Sequence, residues 1–183
     1  MHLRWMTAAD VDRIAAAEPL FDYPVRAQWA RRFVGDGSHH LCLAYPDPEG
    51  PDRDRAVGFV SGVEITHPDK GTEMMLYELA VDEAYRRRGF GTALIEALAG
   101  RARDRGCYGM FVLVDTDNAA ALATYANTNP AESATAVMLT WPLDPTHATF
   151  EPPASATRPP SDTPAGAAEP SRSALFGPRK GGS

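Results

Sequence analysis

Apolar residues along the first 145 positions fall into short clusters typical of strands and into longer, periodically spaced stretches typical of helices. The short clusters predict strands over residues 3–6, 41–45, 57–66, 74–81, 110–114 and 136–141. Helical spacing, with Pro24 at one helix start and Gly106 after one helix end, predicts helices over residues 8–17, 25–34, 92–105 and 119–126. This β-α-α-β-β-β-α-β-α-β succession predicts an α/β (α+β) fold, a mixed sheet with helices on both faces.

Composition divides the chain into a body and a tail. The 183 residues are 44% hydrophobic, which is ordinary for one globular domain, and we expect that domain over residues 1–145. Residues 146–183 are rich in Pro, Gly and Ala and lack the apolar surface that would offset their ordering entropy, so a disordered tail is expected there. No apolar run approaches the roughly 20 residues that span a bilayer, and the first residues show no secretory pattern. We therefore expect a cytoplasmic protein with no membrane partner.

The net charge of −6 narrows the choice of partners. The tail is slightly basic, so the acidity belongs to the body, and an acidic body argues against nucleic acid as a partner. It fits a cationic substrate, although charge that serves only solubility fits equally well. Cys42 and Cys107 stand in apolar runs, as buried thiols do, and no ligand spacing indicates a metal site.

The most informative segment is a predicted strand, Leu76–Val81, followed by a basic, glycine-rich turn and a helix. A strand that leads through a glycine turn into a helix forms a phosphate cradle from main-chain N–H groups and the helix dipole. No Gly-Lys-Ser/Thr ending is present, and Leu94 replaces the third glycine of the dinucleotide pattern. What remains is Arg-x-x-Gly-x-Gly, formed by Arg86, Gly89 and Gly91, with a solvated arginine turn as the plain alternative.

This turn resembles the acyl-CoA pyrophosphate loop of the GNAT superfamily of N-acetyltransferases. The resemblance implies a mostly antiparallel sheet whose central strands splay apart, with acetyl-CoA bound in the opening as the co-substrate and no metal. It also implies the residues that bind this co-substrate, mainly through their main chain: Leu79, Ala80, Val81, Arg86, Arg87, Arg88, Gly89, Phe90, Gly91, Thr92 and Asn118.

A second segment supports the resemblance. GNAT enzymes show Asn-x-x-Ala-x-x-x-Tyr after a buried strand, and Asn118, Ala121 and Tyr125 match this pattern. The family then continues toward Lys-x-Gly-Phe, whereas this chain has residues 127–130 as Asn-Thr-Asn-Pro. A helix cap remains the alternative for Asn118, as does a core aromatic for Tyr125.

Acetyl transfer to an amine needs a base, because the amine is an ammonium ion at neutral pH. Glu78, the carboxylate inside the predicted strand, is the candidate base, acting directly or through water. A salt-bridged or edge-facing glutamate is its alternative. The resemblance assigns Tyr125 as the general acid for the leaving thiolate, and a main-chain N–H near Leu79–Val81 as the donor to the acetyl oxygen.

Within the superfamily, Tyr77–Val81 and the arginine-rich turn resemble the type I aminoglycoside 3-N-acetyltransferases, which implies antibiotic resistance. A polycationic amine needs several carboxylates, and the candidate substrate-binding residues are Asp22, Tyr23, Glu78, Asp115 and Asp117. Acceptors such as a peptide N-terminus, a lysine or a small metabolic amine stay open, as does a non-catalytic acyl-CoA-binding regulatory domain. Dimers are frequent among such proteins, so a homodimer is a further option.

Overall fold

The computed structural model describes residues 1–47, 49–139, 141 and 143. The chain divides into two units, residues 1–133 and residues 134–183. The first unit holds every helix and strand of the described residues. The tail predicted over residues 146–183 lies outside the described residues, and its disorder stays a prediction.

The first unit alternates strands and helices nearly as the sequence predicts. Its strands are β1 (His2–Trp5), β2 (His39–Tyr45), β3 (Gly58–His67), β4 (Gly71–Val81) and β5 (Met110–Val112). Its helices are α1 (Val11–Ala16), α2 (Ala27–Gly35), α3 (Phe90–Asp104) and α4 (Ala119–Ala126), with short 3-10 turns at Ala8–Asp10, Glu18–Leu20 and Glu83–Tyr85. The second helix starts two residues later than expected, because Arg26 has an extended backbone.

The five strands form one sheet in the order β1-β2-β3-β4-β5. Neighbours are antiparallel except β4 and β5, which are parallel and are joined by α3. The predicted mixed α/β fold is therefore confirmed.

Helices cover both faces of this sheet, as predicted. Leu41, Leu43 and Phe59 pack on one face with the buried residues of α1 and α2. Cys42 and Val60, their neighbours in the two strands, pack on the other face with the buried residues of α3. Successive residues of a strand point to opposite faces, so β2 and β3 supply both cores.

Strand β4 contains a β-bulge at Tyr77. Ser61 of β3 pairs with Glu78, but the next residue, Gly62, pairs with Leu76, so Tyr77 is an extra residue in β4. A bulge reverses the alternation of side chains beyond it. Glu78 consequently lies on the α1–α2 face, whereas in an uninterrupted strand it would share the α3 face with Leu76.

Strand β5 is much shorter than β4. Its pairing ends where Val112 meets Leu76, two residues before the end predicted for this strand. Residues Tyr77–Val81 of β4 have β3 on one side and, within the described residues, no strand on the other. The two strands thus part at this point, which is the splayed arrangement expected of the fold.

The last predicted strand, residues 136–141, is wrong for the part that the structure describes. Residues 134–139 and Trp141 carry no strand, and Val137, Met138, Leu139 and Trp141 are exposed. Thr140 lies outside the described residues. Apolar β-formers give a segment the composition of a strand, but a strand forms only when a neighbouring edge pairs with it.

Candidate active site

The glycine turn that links β4 to α3 is held in a special backbone conformation. Arg87 and Gly89 both have positive φ angles, 57° and 84°, and Gly89 stands directly before the first residue of α3. A positive φ costs a residue other than glycine about 1–2 kcal/mol, which explains the glycine at position 89. The two left-handed residues therefore set the direction in which α3 leaves the turn.

The start of α3 has main-chain donors that are not used. No side chain caps the helix, and among the described residues no acceptor bonds the N–H groups of Phe90, Gly91 and Thr92. The first internal bond runs from Ala93 to the Gly89 carbonyl, at 3.0 Å. Three unused donors at the positive end of a 15-residue helix make this place fit for an anion such as a diphosphate.

The three arginines of the turn have different surroundings. The Nε of Arg86 donates to the Val81 carbonyl at 3.1 Å, which ties the turn to the end of β4. The guanidinium of Arg88 lies 5.2 Å from the ring centre of Tyr85. All three side chains are exposed, so their positive charges also reach solvent at the helix start.

Successive N–H groups of β4 point alternately toward β3 and toward the opposite edge, which, within the described residues, is unpaired beyond the end of β5. The Asp82 N–H donates to the Val57 carbonyl at 2.9 Å and so points toward β3. Alternation directs the N–H groups of Val81 and Leu79 the other way, to the side where β5 has ended. The N–H of Ala80 points toward β3. A main-chain donor was expected from Leu79, Ala80 or Val81. The N–H groups of Leu79 and Val81 therefore face the gap where β4 and β5 part.

Glu78 lies beside this gap, half-buried on the α1–α2 face. Burial raises the pKa of its carboxyl above the ordinary value, and the negative charge of Asp22 raises it further. Across the described part of the chain no hydrogen bond or ion pair engages the Glu78 side chain, so it is not the salt-bridged glutamate of the alternative interpretation. Its carboxylate is available to a ligand.

Helix α4 carries the second motif and lies against the start of α3. The Asn118 Oδ1 accepts from the Ala121 N–H at 3.0 Å, so this residue caps α4, and its amide N–H₂ stays available. A Cβ atom placed on Gly91 would lie 3.1 Å from Thr124 Cγ2, so glycine permits the close approach of the two helices.

Tyr125 follows Thr124 and packs, partly buried, against the α3-side core. Burial raises the pKa of its phenol. No group of the described residues bonds its hydroxyl, so the phenol is both a core aromatic and an unused proton donor.

The predicted substrate-binding residues are not all brought together. Asp22 is exposed but lies close enough for its charge to act on Glu78, and Tyr23 follows it, half-exposed. Asp115 and Asp117 are exposed in the loop between β5 and α4. In residues 1–47 and 49–139 no hydrogen bond or ion pair links either of them to Glu78.

Ser61 is a polar residue of this region that the sequence pattern did not reveal. It is 5% exposed, its hydroxyl has no partner among the described residues, and it lies directly opposite Glu78 in the strand pairing. Only the strand register, including the bulge, places the two residues together.

Metal sites and membrane-spanning helices are both absent from the described residues. No group of three or more His, Cys, Asp or Glu side chains there is placed to hold a metal ion. No helix in those ranges combines the length and the apolar character that a membrane crossing requires.

Acetyltransferases are among the known proteins similar to this chain. An L-2,4-diaminobutyric acid acetyltransferase of Nocardia farcinica is 36% identical over 72 residues, which are 39% of this chain and 36% of that protein. The chain thus spans about a third of this relative's length.

Solved structures resemble the chain over a larger part of its length. An aminoglycoside acetyltransferase from an uncultured soil metagenomic sample, in complex with sisomicin, has a TM-score of 0.69 at 18% identity and covers 78% of this chain and 96% of its own. The aminoglycoside N-acetyltransferase AAC(6')-Iy in complex with CoA has a TM-score of 0.63 at 16% identity, with 76% and 93% covered. At these identities the likeness shows the fold. The sequence model of the acetyltransferase (GNAT) family matches residues 5–128, and the chain therefore belongs to the GNAT acetyltransferase family.

Proposed function

We propose that this acetyltransferase acetylates an amine of a small polycationic acceptor of the aminoglycoside kind, with Glu78 as general base and Tyr125 as general acid. The observation that carries the proposal is the carboxylate of Glu78, half-buried, without a partner among the described residues, and beside Asp22 at the open edge of β4. We further propose that the acetylated nitrogen is the 3-amino group of the aminoglycoside, as the resemblance to type I enzymes implies.

The residues at the start of α3 fit the co-substrate of the family. The unused N–H groups of Phe90, Gly91 and Thr92 suit the diphosphate of coenzyme A, and the exposed charges of Arg87 and Arg88 add attraction. Bound acetyl-CoA supplies a thioester, which is an acetyl group activated for transfer. No residue of the chain needs to carry the acetyl group.

Glu78 prepares the acceptor. An ammonium ion has no lone pair, so it must release a proton before it attacks a carbonyl. Burial and the charge of Asp22 raise the pKa of Glu78 above its ordinary value, which strengthens it as a base for this proton. The same two carboxylates attract a cation before reaction.

Other groups stabilise the negative charges that form on the acetyl oxygen and on the departing thiolate. The main-chain N–H groups of Leu79 and Val81 face the gap and can donate to an oxygen that becomes negative. The Tyr125 hydroxyl, unused among the described residues, can give its proton to the departing thiolate. The balance is one ammonium and one thioester consumed, with one amide, one thiol and one proton formed.

The nature of the acceptor follows from the two carboxylates. Asp22 and Glu78 lie near each other, so an acceptor with two ammonium groups satisfies both, whereas a monoamine leaves one unpaired. Aminoglycosides have such closely spaced amines, and the solved structures that resemble this chain support them. A short diamino acid is the second candidate, which the similarity to diaminobutyric acid acetyltransferase favours.

A thiol-release assay with acetyl-CoA tests the acceptor. The panel contains gentamicin, 2,4-diaminobutyrate, a peptide with an N-terminal alanine, and 4-aminobutyrate as the monoamine control for the diamino acid. We expect turnover with gentamicin, weaker turnover with diaminobutyrate and none with the monoamine. Mass spectrometry with NMR of the product identifies the acetylated nitrogen. Turnover with the peptide alone, or with the monoamine as fast as with the diamines, would contradict the proposal.

A further inference from the structure

The hydroxyl of Ser61 is the buried side-chain polar atom that has no hydrogen-bond partner among the described residues. The residue is 5% exposed and stands in the middle of the sheet, on the central strand β3. Leaving such a group without a partner costs free energy, so its presence calls for a partner that the described residues do not provide.

The position of this hydroxyl relates it to the proposed base. Ser61 and Glu78 are directly opposite in the antiparallel pair, and the bulge at Tyr77 brings both onto the α1–α2 face. Opposite residues on one face have Cβ atoms about 4.5–5.5 Å apart. The Ser61 hydroxyl is fully buried on this face, whereas Glu78 is only half-buried.

The Ser61 hydroxyl and the Glu78 carboxylate both lack a partner in the described part of the chain. Throughout the described residues, no hydrogen bond or ion pair engages either side chain. Asp22, on the loop before α2, is the charged group that acts on Glu78 from the elements packed on this face. A buried water molecule needs two to four polar partners, and the hydroxyl with the two carboxylate oxygens provides that number.

We propose that Ser61 is a positioning residue for Glu78: its hydroxyl holds one buried water molecule against the carboxylate, and this water carries the proton from the acceptor to Glu78. The inference rests on the proposed function, because it assigns the proton path of the same site. It decides between direct and water-mediated action of Glu78 in favour of water.

The proton transfer balances without any further reactant. The acceptor ammonium gives one proton to the water while the water gives one of its own protons to the Glu78 carboxylate. The products are a neutral amine, an unchanged water molecule and a protonated Glu78. The Ser61 hydroxyl stays intact throughout and keeps the water oxygen within reach of both groups.

The test compares variants that lack the Ser61 hydroxyl with a variant that lacks a serine hydroxyl elsewhere in the chain. Ser61→Ala deletes the hydroxyl, and Ser61→Cys keeps the volume with a weaker hydrogen-bonding group. Ser38→Ala is the control, because its hydroxyl already has a partner, Asp36 Oδ1 at 2.7 Å, on the loop before β2. Near-UV circular dichroism verifies that each variant is folded.

For Ser61→Ala we expect kcat to fall by about tenfold or more, with an intermediate loss for Ser61→Cys and an unchanged KM for acetyl-CoA. The acidic limb of the kcat/KM profile should move to higher pH by about one unit, because the ionised carboxylate loses a hydrogen-bond donor. Ser38→Ala should keep the profile of the wild-type protein. A wild-type profile for Ser61→Ala would overturn the inference.

Two measurements are independent of turnover. NMR titration of ¹³C-glutamate-labelled protein, with Glu78→Gln to assign the signal, should show a higher pKa for Glu78 in Ser61→Ala than in wild type. A high-resolution crystal structure should show one ordered water between Ser61 Oγ and the Glu78 carboxylate. If no amine releases thiol while both results hold, the proposed function fails and the water site stands. If thiol release is normal while the pKa is unchanged and no water is present, the inference alone fails.

Discussion

Glu78→Gln is the substitution that separates chemistry from folding most sharply. Glutamine has nearly the size of glutamate and cannot act as a base near neutral pH. Because the Glu78 side chain has no hydrogen bond or ion pair in the described residues, the exchange breaks no protein contact there. The strand pairing of β4 with β3 is formed by main-chain groups and persists. A loss of turnover in this variant therefore reports on proton transfer.

The fall in kcat expected for Glu78→Gln can be bounded. A positioned general base contributes about 100- to 10,000-fold to a rate, or about 2.7–5.4 kcal/mol at 1.36 kcal/mol per tenfold. Asp22 lies close enough for its charge to act on Glu78, so it can accept some protons when Glu78 is absent. We thus expect kcat to fall by about 100-fold in Glu78→Gln, and further when Asp22→Asn is added.

The assay is thiol release at saturating acetyl-CoA over a range of pH. In wild type the acidic limb should lie above the ordinary glutamate value of 4.5, and it should be absent when Glu78→Gln is combined with Asp22→Asn. Glu73→Gln, in the same strand but before the bulge, is the matched control and should keep the wild-type kcat. A Glu78→Gln protein with wild-type kcat at every pH would refute the role of Glu78.

Stability provides a check that needs no substrate. The folded-state pKa of Glu78 is raised, so its contribution to stability is complete below the unfolded value and is lost as pH rises through the folded value. Glutamine does not ionise, so Glu78→Gln removes this loss of stability at higher pH. The unfolding temperature of Glu78→Gln should exceed that of wild type at pH 7, and the difference should disappear as pH falls toward 4.5.

Two further substitutions probe the proton donor and the glycine turn. Tyr125→Phe should lower kcat by about 10- to 100-fold and remove the basic limb of its pH profile, whereas Tyr108→Phe, outside the site, should not. Gly89→Ala forces alanine to a φ of 84° at a cost of about 1–2 kcal/mol, so calorimetry should show coenzyme A bound about tenfold more weakly. Gly109→Ala, where an added Cβ meets nothing within 4 Å, is its control and should bind normally.

The glycine turn was predictable because its signals are local. The glycines, the arginines and the following helix occupy consecutive positions, and each one restricts its own backbone or charge. The structure has α3 starting at Phe90, two residues earlier than predicted, with its first N–H groups unused by the described residues. The same reasoning correctly located α4 and its cap Asn118.

Features that depend on pairing between distant segments were not predictable. Whether residues 136–139 become a strand depends on a partner edge, which composition does not specify, and this strand prediction was wrong for the described residues. Assigning the face occupied by Glu78, and with it the proximity of Ser61, requires knowing that β4 has one extra residue. Simple alternation would have placed Glu78 with Leu76 on the α3 side.

That extra residue bends β4 without being needed for the faces that its neighbours occupy. Deleting Tyr77 would join Leu76 directly to Glu78, opposite the adjacent residues Gly62 and Ser61, so Leu76 would keep the α3 face and Glu78 the α1–α2 face. Core and catalytic groups would keep their faces, and the deletion would remove only the bulge, with the local bend and extra twist that a bulge gives its strand. Replacements of Tyr77 should keep the bulge and be tolerated, because its side chain is 67% exposed. A comparison of a Tyr77 deletion with Tyr77 replacements would therefore separate the effect of the bend from that of the faces.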